Sequence, residues 1–282
     1  MRDRRPKAPR PGLALGGGAS RGWAHLGVIR FLSEQGIEPS CVAGTSIGAV
    51  VGALLASGRL EYALDEIMKA DLIRVLSYVS PGLRDGGLID SWKIHNLLRA
   101  WFGHVDIADL RMPFAAVATD LSSGDTVVLD SGDLVSALMA SISIPVVFPP
   151  RFTQGRWLMD GGLSDPVPVA PARGLGADFV IAVSLNSRTR GLPSTGSAPD
   201  STQPVEAESS RPPSMHETLL ATLMITERNL ANSRLSENRP EVLIEPDLYM
   251  FKGTEFHRAA ELSEIGYEAA RNCSLLLEPL RR

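Results

Sequence analysis

The chain has 282 residues, 44% of them apolar and 21% charged, with a net charge of −4; it can bury a sizeable core in one large domain or two small ones, which excludes a wholly disordered or fibrous protein. The near parity of 28 basic and 32 acidic residues argues against a nucleic-acid footprint. Cys41 and Cys273, far apart and without C-x-x-C spacing, make neither a disulfide framework nor a zinc site and suit a reducing cytoplasm.

In chain order, residues 1–11 read as a basic, flexible arm. Its apolar continuation, Leu13-Ala14-Leu15, is too short for a secretory signal. Gly12 to Leu15 reads as a first strand running into the turn Gly16-Gly17-Gly18-Ala19-Ser20-Arg21-Gly22. Helical spacing follows from about Arg21 to Gln35, with Gly36 at its C-terminal cap. Ser40 to Ala43 reads as a second strand, then Gly44-Thr45-Ser46-Ile47-Gly48 and a small-residue helix ending near Gly58. The stretch Ser40–Gly58 carries no charge, and a buried strand-turn-helix explains it better than a bilayer span, so no spanning segment is expected.

Phe114–Thr119, Asp125–Leu129, Trp157–Met159 and Phe179–Ser184 are further strand candidates, and Asp133–Ile142 reads as a helix. Strands alternating with helices predict an α/β fold with a largely parallel sheet. Between Ser187 and Ser214, 17 of 28 residues are Ser, Thr, Pro or Gly, too polar a stretch to offset its ordering entropy. Beyond it come a helix over Glu217–Leu235 whose apolar face is expected against the core, a last strand over Glu241–Glu245, and a last helix over Phe256–Leu277.

The chemistry is expected in the two glycine turns. G-x-S-x-G between a strand and a helix suits a serine nucleophile on a sharp elbow, where Gly44 and Gly48 remove side chains that would collide with strand and helix. The first turn misses the dinucleotide spacing G-x-G-x-x-G by one residue in both frames, and no Walker G-K-[ST] occurs. Its amides and helix N-terminus fit an oxyanion hole better, with Arg21 a candidate for substrate contact or loop stabilisation. For the base, two readings stand at this level. Ser46, Asp160 and His257 give a triad order; alternatively Asp160, ending an apolar strand before Gly161-Gly162, accepts the serine proton directly.

The order of these motifs resembles the patatin-like phospholipases, most closely the bacterial RssA and neuropathy-target-esterase type. The likeness covers Leu13–Ile29, Val42–Gly48, Met139–Pro145 with Phe148-Pro149-Pro150, and Asp160-Gly161-Gly162 through Pro166-Val167-Pro168 to about Ser184. A fainter echo lies at Phe256–Ala259. The resemblance implies a three-layer α/β/α fold and a serine lipid acyl hydrolase with a Ser46–Asp160 dyad. Gly17, Gly18 and Ala19 would form the oxyanion hole, with the amide of Ile47 a further candidate, and His25 would pack the first helix. It implies no metal and no organic cofactor, a lipid or acyl-ester substrate, transient contact with a membrane surface, no nucleic acid, and a cytoplasmic or peripheral location; it leaves the oligomeric state open. Residues 12–186 would be the catalytic core, 187–215 an insertion, and 216–282 the completion of the same domain. Ala19 and Asp165 depart from the glycine and asparagine common in the family. The first predicts strain at positive φ, the second an extra carboxylate near Asp160. A low-turnover scaffold on the same fold and a histidine-dependent carboxylesterase are the alternatives.

Overall fold

The computed structural model describes residues 9–68, 91–186, 212 and 214–281. The arm up to residue 8 and nearly all of the 187–215 insertion therefore lie outside the described residues. Strands β1 (Pro11–Leu15), β2 (Cys41–Thr45), β3 (Phe114–Asp120), β4 (Thr126–Leu129), β5 (Arg151–Thr153), β6 (Arg156–Asp160), β7 (Phe179–Val183) and β8 (Val242–Ile244) form one sheet. Its parallel part runs β3-β2-β1-β7-β8, while β4 and β6 join β3 antiparallel and β5 extends β6. The helices are α1 (Ala24–Glu34), α2 (Ile47–Ser57), α3 (Leu60–Met68), α4 (Ser91–Phe102), α5 (Leu134–Ser141), α6 (Val169–Gly174), α7 (Met215–Glu237) and α8 (Ala259–Asn272).

Period-two alternation along the buried strands builds three layers. Leu13, Leu15, Val42, Ile181 and Val183 face α1, α2 and α8, which carry the larger core with Phe31, Leu54 and Leu262. Ala14, Cys41, Ala43, Val180 and Ala182 face the other way, toward Val169 and Ala172 of α6 and Ala231 of α7. That second face is lined by small side chains, so a six-residue helix suffices to cover it. On the first face α1 and α8 cross closely: a Cβ on Gly27 would fall 1.7 Å from the Ser263 carbonyl oxygen, and one on Gly266 1.9 Å from that of Ala24. Residues 242–244 join the same sheet beside β7, and α8 packs on α1.

The register of β3 decides where the chemistry falls. Ala116 and Val117 pair with both β2 and β4, and Ala118 and Thr119 with both β4 and β6. A strand has two edges, so β2 and β6 share one edge of β3 and β4 holds the other. β2 climbs that edge to Thr45 opposite Val117, and β6 descends it to Asp160 opposite Ala118. The C-terminal ends of the two strands meet head-on.

Four elements go beyond the expected set: α3, α4, α6 and β5. One expectation holds only in part. The helix over 217–235 forms, as Met215–Glu237, and its apolar face is covered incompletely: among the described residues Ala231 is buried and Leu235 packs beside it on the second core face, Leu223 and Leu230 are half-buried, and Leu219 and Ile225 are exposed.

Candidate active site

Ser46 lies between β2 and α2 at φ 56° and ψ −125°, a left-handed conformation that a side chain adopts only when its surroundings enforce it. The flanking glycines make the turn sterically feasible. A Cβ on Gly44 would lie 2.4 Å from the Gly48 carbonyl oxygen, and one on Gly48 2.1 Å from that of Leu15. Ser141, at the end of α5, fixes the elbow from the side: its Oγ accepts the Ser46 amide at 2.9 Å and donates to the Val117 carbonyl at 2.6 Å. The helix that presents Ser141 is capped by Asp133, whose carboxylate accepts the Ser136 amide and pairs bidentately with Arg99 of α4.

The meeting of β2 and β6 brings Ser46 and Asp160 together. Ser46 Oγ donates to Asp160 Oδ2 at 2.6 Å, and both residues are almost wholly buried, at 5% and 2% exposure. Asp160 Oδ1 accepts the Gly162 amide at 2.8 Å. The Asp160 backbone is held by the Ser143 carbonyl and by Thr119, whose hydroxyl donates to the Asp160 carbonyl and meets Ser164 Oγ at 2.8 Å. Burial pushes the Asp160 carboxyl up to about 6, against the lowering effect of its two hydrogen bonds. Gly161 lets this turn pass over β3, because a Cβ there would come 2.3 Å from the Val117 carbonyl oxygen.

The glycine turn lies beside the serine; a Cβ on Gly17 would be 3.4 Å from Ser46 Cβ. Gly16 donates to Val183, and Gly17 donates to the Pro166 carbonyl at 3.1 Å. The expectation that Gly17 lends its amide to an oxyanion is therefore corrected, since that N–H already closes the sheet against the Pro-Val-Pro segment. The amides of Gly18, Ala19 and Ile47 carry no protein partner among the described residues. Ala19 sits at φ 51°, the strained geometry foreseen for a non-glycine there. Arg21 is 3% exposed and its Nε donates to the Gly18 carbonyl, so it braces the loop; burial lowers it to about 10, where it remains a cation at neutral pH. Gly22 is required because a Cβ there would fall 2.3 Å from the Ile47 side chain.

Neither His25 nor His257 joins the cluster. His25 is fully buried and desolvation pulls it down to about 4, so it is neutral and Nε2–H donates to the Gly16 carbonyl at 2.8 Å. His257 is exposed in the turn before α8 and bonds to neither Ser46 nor Asp160. The extra carboxylate expected from Asp165 is also differently placed. Burial raises it to about 7, and the charge that acts on it is that of Arg234, not Asp160. The carboxylate that does feel Asp160 is Glu227 of α7, raised to about 8 by burial first and Asp160 second, with Arg21 opposing. Glu227 and Ser141 were not singled out from the sequence. Ser141 lies inside a quoted motif, whereas Glu227 carries no local signal.

A cavity of about 440 Å³ opens elsewhere, lined by Asp165, Val167, Leu175 and Arg234. Among the described residues there is no cluster of metal-ligating side chains, and no helix is long and apolar enough to cross a membrane.

A serine on a strand-to-helix elbow of a mostly parallel three-layer sheet, bonded to an aspartate from the strand that meets it end to end, defines the class of architecture. Residues 13–173 match the family described as Patatin-like phospholipase, and the chain belongs to that family. An uncharacterized NTE family protein of Mycobacterium tuberculosis is 42% identical over 191 residues, covering 68% of this chain and 53% of that protein. The chain thus spans about half the length of these mycobacterial relatives. Patatin-like phospholipase domain-containing protein 7 of Rattus norvegicus is 35% identical over 187 residues, covering 62% of this chain and 14% of its own. Lysophospholipase NTE1 of Pyricularia oryzae is 32% identical over 201 residues, covering 64% and 12%. The fold is shared with VipD from Legionella pneumophila, at a TM-score of 0.51 and 14% identity over 96% of this chain and 67% of that one.

Proposed function

We propose that the chain is a serine acyl hydrolase that cleaves ester bonds of phospholipids, lysophospholipids or related acyl lipids through an acyl-Ser46 intermediate. The observation that carries the reading is the hydrogen bond from Ser46 Oγ to Asp160 Oδ2 at 2.6 Å, made at a strained elbow. Ionised Asp160 takes the hydroxyl proton as Oγ attacks the ester carbonyl. The oxyanion so formed faces the free amides of Gly18 and Ala19, with that of Ile47 at the start of α2. As the tetrahedral intermediate collapses, Asp160 returns the proton to the departing alcohol. It then takes a proton from water, which attacks the acyl group, and the fatty acid leaves as Ser46 regains its hydrogen.

The lipid class is supported by family membership and by the naming of a relative as a lysophospholipase. Contact with a lipid surface is supported by an exposed aromatic pair, Phe152 and Trp157, on the β5–β6 hairpin, with ring centroids 5.3 Å apart. The test is release of fatty acid from lysophosphatidylcholine and phosphatidylcholine vesicles. Wild type is expected to release it and Ser46→Ala is not; equal rates for the two would reject the reading.

A further inference from the structure

Beside the site lies a carboxyl that the mechanism leaves unused. Glu227 projects from the middle of α7, a helix that among the described residues buries Ala231, packs Leu235 beside it on the second core face, and is tied down by Arg234, whose Nε donates to the Ser164 carbonyl at 3.2 Å. Its carboxyl lies over the turn that carries Asp160. A Cβ on Gly162 would be 2.7 Å from Glu227 Oε1 and 3.1 Å from Asp160 Oδ1, so the two carboxyl oxygens are closer together than the sum of those distances. Gly162 is thus the opening through which Glu227 reaches the site. No hydrogen bond to the Glu227 carboxyl occurs among the described residues. The charges that face it are Asp160 on the turn after β6 and Arg21 on the turn before α1. On its own helix, Arg234 is directed to Ser164 and Glu237, and Asp165 is drawn to Arg234.

We propose that Glu227 is a positioning residue that holds the site at a single negative charge. Neutral Glu227 seats α7 over Asp160 and leaves Arg21 on the Gly18 carbonyl, where it orients the glycine turn. Ionised Glu227 draws Arg21 off that carbonyl and sets a second negative charge against the oxyanion forming on Ser46. The mechanistic half rests on the acyl-hydrolase reading above; the coupling of Glu227 to Asp160 does not.

The titrations give the working range. Asp160 ionises at about 6, and Glu227 keeps its proton until about 8 because burial and the neighbouring Asp160 charge both oppose its ionisation. The Glu227 carboxyl is thus higher in the folded protein than in the unfolded chain. Its contribution to stability is full below the ordinary glutamate value and is lost as pH rises through about 8. Glutamine, an uncharged isostere, escapes that loss.

The experiment measures two quantities against pH: the rate of fluorophosphonate labelling and the melting temperature. The proteins are wild type, Glu227→Gln, Glu227→Met, Asp160→Asn and the Asp160→Asn/Glu227→Gln double variant. Wild-type labelling is expected to rise through about 6 and fall above about 8. At about pH 9 the Gln and Met variants should label about tenfold faster than wild type, since a group titrating at about 8 is roughly one-tenth protonated there. The melting temperature of Glu227→Gln should gain on wild type as pH climbs from about 4.5 to about 8, and that gain should shrink in the Asp160→Asn background. An unchanged alkaline limb in both variants, or a melting gap independent of pH, would overturn the inference. Wild type that never labels would reject the acyl-hydrolase reading instead, and the melting series would still decide the Glu227–Asp160 coupling.

Discussion

The two sides of the serine are built in opposite ways. On the elbow side the backbone of β2, the glycine turn and the first turn of α2 interlock at distances that leave no room for a side chain, as at Gly44, Gly48 and Gly22. Ser141 ties the Ser46 amide to β3, and the turn's own amides close on Val183 and Pro166. On the α7 side the contacts among the described residues are looser: Ala231 buried with Leu235 beside it, an Arg234 hydrogen bond, and Glu227 over Gly162, with Met215, Leu219 and Ile225 exposed along the same helix. The contrast teaches that precision is invested where the proposed nucleophile holds a strained angle. The cover over Asp160 is held by a small apolar contact at Ala231 and Leu235 and by polar groups, whose strength the Glu227 proposal makes dependent on ionisation.

Substitutions should expose that difference. Gly48→Ala places a Cβ 2.1 Å from the Leu15 carbonyl oxygen, a backbone atom in the centre of the sheet that cannot retreat. The expected loss is about 3 kcal/mol or more in urea unfolding, and a loss under about 1 kcal/mol would mean that the elbow is less rigid than described. The pH dependence comes next. Because Asp160 is raised to about 6 and acts as a base only when ionised, labelling of Ser46 should fall roughly tenfold per pH unit below that value. A rate flat down to about pH 4.5 would show that Asp160 ionises as an ordinary carboxylate.

Ser141→Ala strands the Ser46 amide and the Val117 carbonyl together. It should cost about 1–3 kcal/mol and slow labelling as the elbow relaxes, whereas a silent substitution would show that water replaces the hydroxyl without loss. On the other side, Leu219→Lys and Ile225→Lys should change stability by no more than about 0.5 kcal/mol, because both side chains are exposed. A large loss at either position would mean that the face of α7 is covered after all.

The same contrast explains what could be read in the sequence. Ser46, Asp160 and the glycine turn were legible because steric exclusion leaves a fixed trace: only glycine fits at 44, 48, 22 and 161, and those glycines mark out the motifs. The α/β class followed from strand and helix periods, and the packing role of His25 followed from the family resemblance, inside whose first motif it falls. Gly17 was misjudged because its amide partner, Pro166, is remote in sequence and becomes a neighbour only through β1–β7 pairing. Glu227 was hidden for the same reason: it lies 67 residues from Asp160, and only the fold sets it over Gly162. The apolar residues of α7 suggested a core face because their spacing is helical, but spacing alone does not say whether a neighbour exists to cover them.

The central claim is that Ser46 is a nucleophile activated by Asp160 without histidine. Its most direct test is fluorophosphonate labelling of the purified protein at neutral pH, with wild type beside Ser46→Ala, Asp160→Asn and His257→Ala. The account predicts labelling that is lost in the first two variants and kept in the third. Labelling that survives Asp160→Asn, or that disappears with His257, would contradict it.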